Sequence, residues 1–195
     1  EAVERRAQQS SACGETFPVV AVKPWEPHRF EVVGTLMEAS RNHGQVLLTY
    51  DSEEGRQLAA KRIPNDWICR CPEEFAREHP GETERPWADI LAVACLTIGA
   101  FPYVCKLVGV YRDEESTYIV TEVASEGDLF AFCNSPSGVC DPPGLAREAR
   151  LLPIIAQIFD SVRSLHSAGI AHGDISLENL LLTRCGSEGA FAVRV

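Results

Sequence analysis

The sequence predicts an α+β fold, with strands first and helices later, on three observations. Leu58-Ala-Ala-Lys61-Arg-Ile63 and Thr117-Tyr-Ile-Val-Thr121-Glu122 read as strands, the second alternating apolar and polar positions as a half-buried strand does. Leu151, Ile155, Ile158, Val162 and Leu165 then recur at the spacing of one helical face. Last, the polar segment His172-Gly-Asp-Ile-Ser-Leu-Glu-Asn179 runs straight into Leu180-Leu-Leu182, a short apolar strand able to anchor it.

Taken in order, residues 1–28 are polar and then punctuated by Pro18, Pro24 and Pro27, and are expected to form a flexible lead-in or partly packed arm. Asp51-Ser-Glu-Glu-Gly55 is a charged hairpin turn into the strand that carries Lys61. Between Pro64 and Trp87 a charged stretch containing Pro72, Pro80, Gly81 and Pro86 reads as an insertion around the helix of the first lobe. The strand ending at Glu122 enters a turn at Gly127, and Asp128 stands where a helix beginning at Leu129 wants its N-cap. A second proline-rich loop covers Pro136 to Gly144, before the long helix that Gly169 closes in a left-handed conformation. Phe191-Ala-Val-Arg-Val195 is a final strand.

The chemistry resides in the loop. A His-x-Asp-x-x-x-x-Asn spacing places a carboxylate under an attacking hydroxyl and returns an amide oxygen to a metal, as in the phosphotransfer signature His-Arg-Asp-x-x-x-x-Asn. The bland alternative is a helix-capping aspartate in an ordinary turn. The upstream segments decide for the first. Leu58-Ala-Ala-Lys61 is similar to the lysine-bearing strand Val-Ala-Ile-Lys, and Thr117 to Phe130 is similar to a hinge strand, turn and helix start.

From about Phe30 to Val195 the chain therefore resembles the first part of a eukaryotic-type serine/threonine protein kinase domain, stopping before the Asp-Phe-Gly segment. Glu82-Thr-Glu-Arg-Pro-Trp87 and Ser125-Glu-Gly-Asp-Leu-Phe130 are reminiscent of divergent kinases of apicomplexan parasites. The resemblance implies a kinase-like two-lobed fold: an antiparallel sheet lobe with one helix, then an incomplete helical lobe. The expected divisions are an extension at 1–28, the first lobe at 29–122, and the hinge with the opening of the second lobe at 123–195.

By the same resemblance Lys61 contacts the phosphates of ATP, Asp174 is the catalytic base and Asn179 a Mg2+ ligand. Thr121 is the gatekeeper, Glu122 and Ala124 offer backbone groups to the adenine edge, and Asp128 reaches the ribose. Ala39, Gly44 and Val46 belong to the phosphate loop. Two of these have plain alternatives: Lys61 as a strand lysine with its head in water, and Asp128 as only a helix cap. His172 reads as a structural residue under the loop.

The departures are as specific. The phosphate loop Ala39-Ser-Arg41-Asn-His-Gly44-Gln-Val46 keeps one glycine where side-chain-free backbone normally approaches phosphate. Gly173 stands in place of the arginine that answers an activation-loop phosphate, and Ser176 in place of a lysine. A carboxylate partner for Lys61 is not obvious: Ala92 falls near the expected place, and Asp89 or Glu84 serves only if the helix is longer, Asp89 being the candidate. Lacking the Asp-Phe-Gly segment, the polypeptide as given is not expected to catalyse by itself.

The net charge of −10, from 18 basic and 28 acidic residues, disfavours nucleic acid and anionic membrane as partners. No apolar run approaches the roughly 20 residues that span a bilayer, and no signal peptide is visible, which fits a cytoplasmic protein while leaving the compartment open. The eight cysteines lack metal-ligand or disulfide-framework spacing, Cys69-Arg-Cys71 being too tight for a Cys-x-x-Cys clip. The functional reading is a kinase acting on Ser/Thr hydroxyls of protein substrates. The alternatives are a pseudokinase serving as a binding or allosteric module, and a remnant without function.

Overall fold

The computed structural model describes residues 20–39, 44–135, 142–185 and 190–195. Arg41 in the phosphate loop, Cys13, Cys140 and most of the Pro136–Gly144 loop lie outside the described residues, as does the side chain of Ala39.

The first lobe is a six-stranded sheet in the order β1-β5-β6-β4-β3-β2, from β1 (Val22–Pro24), β2 (Phe30–Ala39), β3 (Gly44–Asp51), β4 (Arg56–Pro64), β5 (Leu107–Arg112) and β6 (Ser116–Glu122). All neighbours are antiparallel except β1, which runs parallel to β5. The expected antiparallel sheet is thus a mixed one, because residues 22–24 add an edge strand.

The β3–β4 turn forms where the sequence placed it, and its chemistry is local. Asp51 Oδ1 accepts the amides of Glu53 at 3.0 Å and Glu54 at 3.3 Å, an Asx-type turn, and Gly55 completes it at φ +65°. Arg29 chelates the same fully buried carboxylate through Nε at 3.1 Å and Nη2 at 2.9 Å.

Period-two alternation then sorts β4. Leu58 and Ala60 are fully buried with Phe30, Leu47, Tyr111, Tyr118 and Val120 on the outer face. Ala59, Lys61 and Ile63 therefore point the other way, Ile63 into a second core with Ile68, Phe75, Trp87, Ile90 and Val110.

That second core seats three helices where one was expected: α1 (Asn65–Ile68), α2 (Pro72–Glu78) and α3 (Pro86–Ile98). The prolines that read as loop markers at 72 and 86 are first-turn residues, where a missing N–H costs nothing. Glu73 and Glu74 also favour the N-terminus of α2. The Trp87 indole N–H donates to the Ile68 carbonyl at 2.8 Å and ties α3 to α1.

The second lobe holds α4 (Leu129–Asn134), α5 (Leu145–Ser167) and a hairpin of β7 (Leu181–Cys185) with β8 (Ala190–Arg194). Its core is Leu129, Phe132, Ile154, Leu180, Leu182 and Val193. The stripe of α5 differs from the sequence reading. Ile154, Ser161 and Leu165 are buried, whereas Ile155 is 42 % exposed. Ser161 escaped notice because it is polar; its hydroxyl bonds the Ile158 carbonyl at 2.7 Å, which makes its burial tolerable. Gly169, at φ +74°, ends the helix as expected: its amide donates to His166 O and that of Ile170 to Leu165 O, both at 3.0 Å. No helix among the described residues is long and apolar enough to cross a membrane.

Candidate functional site

Between the lobes lies a cavity of about 380 Å³, and the elements above bring its lining together. Strand pairing sets Val46 and Ile119 beside Lys61, and Thr121 beside Ala59, all on the face opposite the outer core. Thr121, Glu122, Ala124 and Asp128 line the same cavity, with Leu181 entering from the second lobe.

The turn that places Leu181 is built by backbone bonds. Glu126 N–H donates to Leu182 O at 3.0 Å, Leu182 N–H to Gly127 O at 2.8 Å, and Leu129 N–H to Leu180 O at 2.7 Å. Gly127 sits at φ +71°, a conformation glycine adopts without Cβ strain. Arg184 holds the turn from below, donating to the Glu126 carboxylate at 2.9 and 3.0 Å.

Asp128 does cap α4, accepting the Ala131 amide on Oδ1 at 2.7 Å, and still lines the cavity. Glu122 is committed at its amide, which donates to Lys106 O at 3.0 Å. The Ala124 amide makes no hydrogen bond among the described residues.

The loop at 172–179 is exposed and organised around one carboxylate. Asn179 Nδ2 donates to Asp174 Oδ2 at 2.8 Å and to Asp174 O at 2.9 Å. The Asp174 amide donates to His172 Nδ1 at 3.3 Å, so half-buried His172 braces the loop. Gly173 takes φ +80° between them. Asp174 and Asn179 are not among the residues that line the cavity. The Asn179 side-chain oxygen accepts no hydrogen bond among the described residues, leaving an oxygen lone pair of the kind magnesium takes.

Asp89 on α3 also lines the cavity. Desolvation raises its carboxyl above the ordinary range, with Lys61 and His172 opposing through their charge, so the three groups share one electrostatic neighbourhood. Among the described residues, however, no carboxylate lies within 4.0 Å of Lys61. Sequence reasoning missed the apolar wall formed by Ala59, Ile119 and Leu181; the two-residue period around Lys61 and Thr121 was the signal that finds the first two. It also missed Cys105, whose thiol burial pushes up to about 11.

Comparison with known proteins agrees with this geometry. A family model described as "Protein kinase domain" matches residues 41–188. Serine/threonine-protein kinase PKH1 of Saccharomyces cerevisiae is 25% identical over 143 residues, covering 73% of this chain and 16% of that protein. CBL-interacting protein kinase 22 of Oryza sativa subsp. japonica is 31% identical over 144 residues, covering 70% of this chain and 30% of that protein. The crystal structure of Rad53 1-466 in complex with AMP-PNP superposes with a TM-score of 0.59 at 23% identity, covering 86% of this chain and 37% of that one. The chain thus spans less than a third of the length of these two curated relatives.

Proposed function

This chain belongs to the protein kinase domain family, and on that premise we propose that the protein transfers the γ-phosphoryl group of ATP to serine or threonine hydroxyls of protein substrates. The observation that carries the reading is the convergence of Lys61, Thr121, Glu122, Ala124 and Asp128 on one cavity with apolar walls.

In this reading Val46, Ala59 and Leu181 sandwich the adenine. The Glu122 carbonyl and the unengaged Ala124 amide meet its edge. Asp128 spends Oδ1 on the helix cap and turns Oδ2 to the ribose. Lys61 reaches the phosphates. Ala39, paired with Gly44 through the backbone, and Val46 frame the phosphate loop above it.

When bound, magnesium-ATP supplies the phosphoryl group and the cations that neutralise its charge. Asn179 would hold one cation through its unengaged side-chain oxygen. Asp174 accepts the proton of the substrate hydroxyl, its carboxylate aimed by the Asn179 amide. Gly173 leaves no guanidinium before the base to answer an activation-loop phosphate, so control through that contact is absent.

One observation favours a second reading, a pseudokinase that binds partners without phosphotransfer: Lys61 has no carboxylate partner within 4.0 Å among the described residues. Full-length protein incubated with magnesium, ATP and a generic acceptor separates the two. Phosphorylation abolished by Asp174→Asn supports the enzyme; nucleotide-induced stabilisation without any transfer supports the binding module.

A further inference from the structure

The strand order ends at β1, whose three side chains are all exposed and whose only strand partner among the described residues is β5. Three parallel pairs are a weak attachment, so the segment is fixed by the residues on either side of it. Alternation sends these anchors to opposite faces of the sheet. Val20 packs against the core that contains Trp87 and Ile90 of α3. Trp25 stacks on Tyr118 at 3.9 Å between ring centroids and on Phe30 at 5.0 Å, and its amide donates to Arg112 O at 2.8 Å.

The position of α3 depends on that same core. Its N-cap, Arg85, makes no side-chain cap bond, so the first turn is held by buried Pro86 and Trp87 and by the indole bond to Ile68. Ile90 is buried in the core against which Val20 packs and at the same time lines the cleft, next to Asp89. A shift of this core moves Ile90 and Asp89 together, because packed side chains exchange between discrete arrangements and do not deform smoothly.

We propose that residues 20–25 are an intramolecular strap that sets the pose of α3, and through Asp89 and Ile90 the affinity of the cleft for a nucleoside triphosphate. Whatever peels the strap from β5 loosens α3 and weakens nucleotide binding; whatever secures it does the reverse. The second half of this statement rests on the nucleotide-binding reading above.

The test uses the full-length protein with Trp25→Ala, Val20→Asp and the milder Val20→Ala, and Lys23→Ala as a control. Lys23 pairs with Tyr111 through the backbone, which the substitution keeps, and its exposed side chain reaches over the Tyr111 ring at 5.8 Å. Titration with magnesium-ATP is expected to show Kd raised about fivefold or more in the strap variants and unchanged in Lys23→Ala. Amide exchange in α3 is expected to quicken in Val20→Ala with no nucleotide present. Val20→Ala is the variant that decides if the harsher two fail to fold. Kd within twofold of the parent in every folded strap variant overturns the link to the cleft. Unchanged α3 exchange overturns the strap itself. A parent that binds no magnesium-ATP overturns the nucleotide reading instead, and the α3 exchange result still decides the strap.

Discussion

Asn179 donates one amide group to both the carboxylate and the carbonyl oxygen of Asp174, at 2.8 and 2.9 Å. The five-residue interval between them is thus closed into a ring by the side chain that follows the loop. Removing the donor leaves an exposed carboxylate free to rotate, with little else to lose. Asn179→Ala is therefore expected to lower single-turnover phosphotransfer by the full-length protein at least about a hundredfold while leaving its melting temperature unchanged. A variant that melts lower but transfers normally would make the bond structural only.

Asp89 lines the cavity with Lys61 yet makes no ion pair with it. Glutamate in its place carries the carboxylate one methylene further. Asp89→Glu is expected to tighten magnesium-ATP binding severalfold, on the order of 1 kcal/mol for a partly exposed pair, and Asp89→Ala to weaken it. Calorimetric titration reads both, and equal affinities in all three proteins would remove Asp89 from the site.

Gly173 holds φ +80° with open space around its missing Cβ. The cost of a side chain there is conformational, not steric. Gly173→Ala is expected to destabilise by about 1 kcal/mol in urea titration, and no loss would mean that the loop relaxes to another conformation.

The Arg29 guanidinium, bonded to Asp51, holds that buried carboxyl below its ordinary value, against desolvation and with help from the Glu53 and Glu54 amides. A depressed folded-state value means that the stabilisation is complete above the unfolded carboxylate pKa, about 3.9, and is lost as pH falls through the folded one. Asp51→Asn is expected to cost about 3 kcal/mol at neutral pH, with the difference from the parent shrinking on acidification below about pH 4. Parallel stability curves would show that the pair is not what titrates.

Ile154 is 2 % exposed and Ile155 42 %. Ile154→Ala is expected to cost about 3 kcal/mol and Ile155→Ala well under 1 kcal/mol. The two melting curves decide between the observed stripe of α5 and the one that apolar spacing alone suggested.

The last pair shows where sequence reading runs short. Counting only apolar residues passes over Ser161, whose burial depends on a bond to Ile158 O, so Ile154 and Ser161 take the places given to Ile155 and Val162 while Leu151, Ile158 and Leu165 keep theirs. The helices at 65–78 lie in the stretch that reads as a charged insertion, and for a similar reason: proline marks a helix start as well as a break, and only packing against Trp87 and Val110 selects between them.

By itself the sequence determined the strand that carries Lys61, the strand and turn from Thr117 to Asp128, the β3–β4 turn at Asp51 and Gly55, the capping roles of Asp128 and Gly169, and the motif spacing that names the family, because each rests on backbone conformation and on neighbours within a few residues. Only the tertiary structure decided that β1 joins the sheet in parallel, that Asp89 faces Lys61's cavity without pairing, and which face of α5 is dry. Those depend on which surfaces meet at long range, and the apolar area buried there outweighs local preference.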